Sequence, residues 1–371
     1  MYDEQFPLDP AVLHLNHAAV GPWPRRTAEA VSAFARENLQ QGSARYEQWL
    51  ATEQSLRAQL QRLLNADSSD EIALLKSTSE ALSVVAHGLD WDDGDNVVIT
   101  DQEFPSNRIV WESLRPLGVT VRQAPLNEGP SPEDAILERV GERTRLISVS
   151  SVQFGSGLRL DLERLGRYCR QHQILFCVDA IQSLGAVPMD VARIHADFVM
   201  ADGHKWMLGP EGLAVFYCRA GVRERLTLHQ YGWHMVEQMG EFERPDWQVA
   251  RSGRRFECGS PNMLGIHALH ASLQLLEEVG SEAIFTQVIR NTSYLIDKLN
   301  SISGKYEILT PTDPARHAGI VTFRPRKTDP EALFQHLRAG GVLCARRGGG
   351  IRFSPHFYTP PTVLDRALAL L

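Results

Sequence analysis

The chain has 371 residues, of which 43% are hydrophobic and 22% charged, and a formal net charge of −7. These figures describe a soluble globular protein with a large core, and they exclude a disordered chain, a collagen-like repeat and a disulfide scaffold. The acidic balance leaves no basic footprint for nucleic acid or an anionic membrane, so small molecules and other protein chains are the expected partners.

In chain order, Arg25 to Leu64 is long, polar and helix-permissive, and a second helical stretch starts near Ser77 and runs to Val85. Short apolar, β-branched runs then alternate with helical segments. The first runs are Asn96 to Thr100, Val119 to Val121 and Leu146 to Val149, with helices near Arg108 to Arg115 and Pro132 to Val140 between them. The helix Asp161 to His172 precedes three further runs, Ile174 to Val178, Phe198 to Met200 and Leu213 to Tyr217. Such alternation predicts an α/β fold with a mostly parallel sheet covered on both faces. Gln248 to Ser260 is irregular, and two helical segments after Asn262 lead to a strand at Ile320 to Phe323 and a helix near Pro330 to Leu337. The pattern divides the chain into a large domain at 15–255 and a small α/β domain from 1–14 and 256–371. Gly348-Gly349-Gly350 reads as a flexible loop.

The five cysteines are scattered and show no CxxC pair, which fits a reducing compartment and neither a disulfide framework nor a zinc ribbon. No apolar run approaches the roughly 18 residues of a membrane span. The chain reads as cytoplasmic, and its histidines show no metal-ligand spacing.

Ligands of open parallel sheets bind beyond the carboxyl ends of the strands. Three such places are polar: Asp179, the stretch Asp202-Gly203-His204-Lys205, and Thr100 with Asp101 to Asn107. Only five lysines occur, at 76, 205, 298, 305 and 327. Lys205 lies in a turn between apolar strands, where desolvation would lower its pKa and let it bond a carbonyl; a solvated turn lysine is the plain alternative. Ser77-Thr78-Ser79-Glu80 at a helix start can cradle a phosphate or act as a simple capping box. Together these elements match the needs of pyridoxal phosphate: Lys205 for the aldehyde, Thr78 and Ser79 for the phosphate, Asp179 for the ring nitrogen and Phe104 for the ring face.

Three stretches carry a wider resemblance: Val178 to Gly185, Asp202 to Trp206 with the following Gly209-Pro210-Glu211-Gly212, and Arg255 to Asn262. They resemble the class V aminotransferase family of pyridoxal-phosphate enzymes, which includes cysteine desulfurases, selenocysteine lyases, kynureninases and isopenicillin N epimerase-like proteins. The resemblance runs from Leu15 to Arg352 and implies a fold-type-I transferase. By matching position it implies that Lys205 holds the cofactor and shuttles the Cα proton, Asp179 pairs with the ring nitrogen and Gln182 with the ring hydroxyl. Thr78, Ser79 and His204 would hold the phosphate, Phe104 would stack on the ring, and Ser260 would reach the phosphate of a neighbouring subunit in a homodimer. Arg352 would clamp the substrate carboxylate, with Asn16 and His17 either lining the pocket or belonging to a packed N-terminal loop.

Some positions depart from the family pattern. Desulfurases carry a catalytic cysteine on a loop before the carboxylate arginine, whereas here only Cys344 is near, in an apolar run that reads as a buried strand. Ser151 to Gly157 and Phe104-Pro105-Ser106 look like kynureninase, but His204 stands where kynureninases have tyrosine. Asp202 occupies a position where relatives have a small hydroxyl residue near the phosphate. The resemblance implies an aminotransferase or C–S β-lyase, with an epimerase or a kynureninase-like hydrolase as alternatives. A nucleotide-dependent oxidoreductase or a non-catalytic binding protein is the competing class.

Overall fold

The computed structural model describes residues 2, 4–302 and 304–371; Met1 and Asp3 of the 1–14 segment thus lie outside the described residues. Seven strands form the main sheet in the order Ile72–Leu75, Ala214–Cys218, Phe198–Asp202, Leu175–Asp179, Thr144–Ser150, Asn96–Thr100 and Thr120–Ala124. All run parallel except Ala214–Cys218, which is antiparallel to both of its neighbours. The central strands are buried along their whole length, because helices cover both faces.

The period-2 alternation of strands explains how the two faces are filled. Val178 and Val199 enter a core shared with Leu56 and Leu60 of the helix Tyr46–Leu64 and with Leu269 and Leu273 of the helix Met263–Val279. Cys177, Phe198 and Met200 face the other way, against Leu82 and Val85 of the helix Thr78–Gly88. A third core joins Leu13 and Leu15 to Leu295, Leu299, Phe323, Ile351 and Phe353 around a four-stranded antiparallel sheet, Ala345–Arg347, Gly350–Phe353, Val321–Pro325 and Tyr306–Ile308.

Several differences from the sequence reading have physical reasons. Arg25 to Leu64 is two helices, Arg25–Gln41 and Tyr46–Leu64, because the chain turns at Gly42 with φ +58°. Ile72–Leu75 is a fully buried strand that the reading did not include. Ile284 and Val288 pack with the large core but Leu295 and Leu299 with the small one, so the helix Ser281–Ser301 spans both cores. The glycine run is no flexible loop. Gly348 and Gly349, at φ +58° and +80°, form a two-residue hairpin turn of the type that matches strand twist. A Cβ at Gly348 would come within 2.8 Å of the Gly155 carbonyl.

A buried ionic cluster ties the helix Tyr46–Leu64 to the following segments. Arg57 pairs with Glu53 at 2.5 Å and Glu257 at 2.6 Å, and the Leu74 amide donates to Glu257. His234 stands 3.6 Å from Glu257. Glu53, His234 and Glu257 lie close enough to consider as metal ligands, but the Arg57 guanidinium occupies the space between the carboxylates.

Candidate active site

A cavity of about 310 Å³ opens beyond the carboxyl ends of the parallel strands, under the hairpin Ala345–Phe353. Of the residues singled out in the sequence, Thr78, Ser79, Phe104, Asp179, Gln182, His204, Lys205 and Arg352 line it. Asn16, His17 and Ser260 do not. His17 is fully buried beside it: Nδ1–H donates to the Ser354 carbonyl at 2.8 Å, leaving Nε2 to accept from the Tyr358 hydroxyl at 2.6 Å. Asn16 forms a backbone bridge to Ser354, and Ser260 is exposed outside the cavity. Ser106, Phe154, Asp202 and Arg347 also line it; of these, Arg347 carried no signal in the sequence.

Lys205 is the only buried lysine among the described residues, the other four being exposed. It lies between the strands Phe198–Asp202 and Ala214–Cys218, so both ends of its loop are anchored in one sheet. The loop is held from outside as well. The Gly21 amide donates to the His204 carbonyl at 2.8 Å, and Gly185, at φ +98°, packs so closely that a Cβ would stand 2.4 Å from the Trp206 carbonyl. Burial pushes the Lys205 ammonium down to about 8, the nearby Asp179 opposing and Arg352 and Arg347 reinforcing the shift. Its Nζ lies 5.7 Å from the centre of the Phe104 ring, which is braced edge-on by Phe154.

Asp179 ends the strand Leu175–Asp179. Its Oδ1 accepts from the Ile181 amide at 3.0 Å, and its other oxygen accepts nothing among the described residues. Burial raises its carboxyl to about 7, with Glu103 adding repulsion. Glu103 is itself buried but well held, accepting from Thr100, Asn107 and both the amide and hydroxyl of Ser150. Gln182 donates to the Ala18 carbonyl and accepts from Trp206, which leaves one amide N–H free.

The helix Thr78–Gly88 points its start at the cavity. Ser77 caps it by accepting from the Glu80 amide at 3.2 Å, while the Thr78 and Ser79 amides have no intrahelical acceptor. The Thr78 hydroxyl accepts from the Asp202 amide at 3.0 Å and so keeps its proton for another acceptor. Asp202 Oδ1 and His204 Nδ1 are 3.1 Å apart and otherwise unpartnered among the described residues. The carboxylate is thus directed at the imidazole, which gives the buried aspartate a partner beside the helix start. On the opposite wall Arg352 is 2% exposed and donates to the Phe154 carbonyl at 2.8 Å, with burial and Arg347 lowering it to about 10.

Among the described residues, two further cavities lack such a set around a buried lysine. A groove of about 570 Å³ between the helices Tyr46–Leu64 and Met263–Val279 has Arg62 and Glu277 as its only charged lining residues among those described, and they pair with each other. None of the five cysteines lines the cavity beneath the hairpin, and all are free. Cys344 is 3% exposed, and burial pushes its thiol up to about 11. No helix among the described residues is long and apolar enough to cross a membrane.

A mostly parallel α/β sheet with a buried lysine, a buried carboxylate and a helix start with unpaired amides around one cavity defines an enzyme. The chain belongs to the aminotransferase class-V family, whose match covers residues 14–353. It is 31% identical to a probable cysteine desulfurase of Methanothermobacter thermautotrophicus, over 93% of this chain and 90% of that one. It is 30% identical to an isopenicillin N epimerase of Streptomyces clavuligerus, over 97% and 94% of the two chains. Among solved structures, the cystine C–S lyase C-DES in complex with its reaction product cysteine persulfide matches with a TM-score of 0.91 and 26% identity, covering 98% of each chain.

Proposed function

We propose that this protein is a pyridoxal-5′-phosphate-dependent C–S β-lyase that splits a cysteine derivative into a thiol, pyruvate and ammonia. The observation that carries the reading is the set of groups around one cavity: Lys205, Asp179, Arg352 and the Thr78 helix start, with no thiol among them. A persulfide-forming desulfurase needs a cysteine there, whereas β-elimination needs only a base and a leaving group.

The residues fit the cofactor. The amides at Thr78 and Ser79 and the free Thr78 hydroxyl proton suit a phosphate, and Asp202 engages Nδ1 of His204, which leaves Nε2 for the same anion. The second Asp179 oxygen suits the ring nitrogen, the remaining Gln182 N–H the ring hydroxyl, and Phe104 the ring face. When bound, pyridoxal phosphate supplies an aldehyde for a lysine amine and an electron sink for the pair left at the substrate Cα.

This chain's own residues then do the following. Arg352 holds the substrate α-carboxylate through a guanidinium already anchored on the Phe154 carbonyl, which orients the Cα–H bond. Lys205, with its pKa brought near neutrality, takes the Cα proton at Nζ as general base. Asp179 stays anionic once a ring cation lies against it. The protein works in the cytoplasm as a homodimer; the free cysteines and the exposed position of Ser260 support this reading.

Purified protein should absorb in the visible range, lose that band on borohydride treatment, and lack it as Lys205→Ala. An S-alkylcysteine should give pyruvate and ammonia in equal amounts with no keto-acid acceptor present. Keto acid formed only with an acceptor would replace the lyase with an aminotransferase, and protein that takes up no cofactor would overturn both.

A further inference from the structure

The hairpin over the cavity carries three arginines, and each has a different situation. Register pairs Ala345 with Arg352 and Arg347 with Gly350. Residues paired across an antiparallel ladder, and those two further along, share a face. Arg347 and Arg352 therefore project together toward the cavity, which both line, as diagonal neighbours at roughly 7–8 Å between backbones. Arg346 points to the opposite face, where Glu331 neutralises it at 2.7 Å. Arg347 has no ion pair among the described residues, and its one hydrogen bond goes to the Arg346 carbonyl. The cavity carboxylates do not serve it either: Asp202 faces His204, and Asp179 takes the Ile181 amide.

The two guanidiniums also differ in depth. Arg352 is buried and anchored, whereas Arg347 is exposed at the rim beside the Gly348-Gly349 turn. Two like charges on one face of a two-residue hairpin repel unless an anion lies between or before them. If Arg352 takes the α-carboxylate, the rim guanidinium is left for whatever projects outward from the substrate's sulfur.

We propose that Arg347 is a specificity-determining residue that reads a second carboxylate, one carried on the sulfur substituent of the substrate. The inference rests on the C–S β-lyase reading of this site. The preferred substrates are then cysteine S-conjugates whose leaving thiol is itself an acid. The Cα proton goes to Lys205, the Cβ–S bond breaks, and its electron pair leaves with sulfur as the thiolate. Water then converts the released 2-aminoacrylate to pyruvate and ammonium. Thioether and water are consumed, thiol, pyruvate and ammonium are formed, and no oxidant or reductant is needed.

The test compares S-carboxymethyl-L-cysteine with S-methyl-L-cysteine, which differ by the distal carboxylate. Wild type should prefer the carboxymethyl compound in kcat/KM. Arg347→Gln should lower kcat/KM for it roughly tenfold to a hundredfold, the worth of a charged hydrogen bond, and change the methyl compound by less than about threefold. Arg347→Lys should retain part of the preference, and Arg352→Gln should impair both compounds. Calorimetric binding of the same pair to cofactor-loaded Lys205→Ala protein, with and without Arg347→Gln, gives the split without turnover. Equal loss for both compounds would mean that Arg347 shares the α-carboxylate, and this would overturn the proposal, as would a wild type with no preference in binding. A binding split without pyruvate formation would uphold Arg347 and refute the lyase reading instead.

Discussion

Replacing Asp179 with asparagine should make the cofactor-free protein more stable while disabling it as a catalyst. The carboxyl sits fully buried at the end of a central strand, and burial lifts it from 3.8 to about 7. A carboxyl whose folded value is raised binds its proton more tightly when folded. Its penalty is therefore absent below the ordinary value, grows as pH climbs from about 4, and is complete above about 7. A displacement of that size corresponds to a ceiling of about 4 kcal/mol. Part of this is already returned by the attraction of Lys205, and Lys205, near 8, can shed its own charge when its partner is neutral. A net gain of about 1–3 kcal/mol at pH 8 is the expected result for Asp179→Asn, falling to about two fifths of that at pH 5. Urea unfolding of the cofactor-free proteins at the two pH values measures it. A variant less stable than wild type at pH 8, or a difference that does not change with pH, would refute the assignment of a desolvated, strained carboxyl.

Two further outcomes follow from groups outside the cavity. Arg57→Met leaves Glu53 and Glu257 buried without their partner and should cost about 3–5 kcal/mol in urea unfolding, against less than about 1 kcal/mol if the cluster is already hydrated. Cys344→Ala should leave kcat/KM for an S-alkylcysteine within about twofold, since its thiol is buried and held in the protonated form; a loss beyond about a hundredfold would bring the thiol into the reaction.

The alternation of strand and helix is readable because central parallel strands are apolar along their length while the helices between them start at clear caps such as Asp161 and Ser131. Ile72–Leu75 escapes the same reading: four apolar residues between a helix end and the Ser77 cap have no period that separates strand from helix. The lysine, the strand-end aspartate and the helix start stand out because their chemistry is local to a few residues. His17 is different, since its partners Ser354 and Tyr358 are 337 and 341 residues away in the chain. Asp202 makes sense only once its distance to His204 is known, and Arg347 only once the hairpin register sets which face it occupies. What stays hidden in the sequence is the non-local part of the site: which neighbour satisfies a charge, and which charge is left over.

The turn at Gly348 and Gly349 has a consequence for how the reaction of such a scaffold changes over time. It is the shortest link that can close the hairpin, and it hangs over the cavity mouth with the paired strands fixed on either side. Lengthening a surface loop costs little in folding free energy. A few residues inserted between the two glycines would therefore hang a new reactive group, a thiol for instance, above the same lysine without touching any of the three cores. Under the proposed chemistry, such an insertion would change what stands at the rim while Lys205 stays where the sheet puts it.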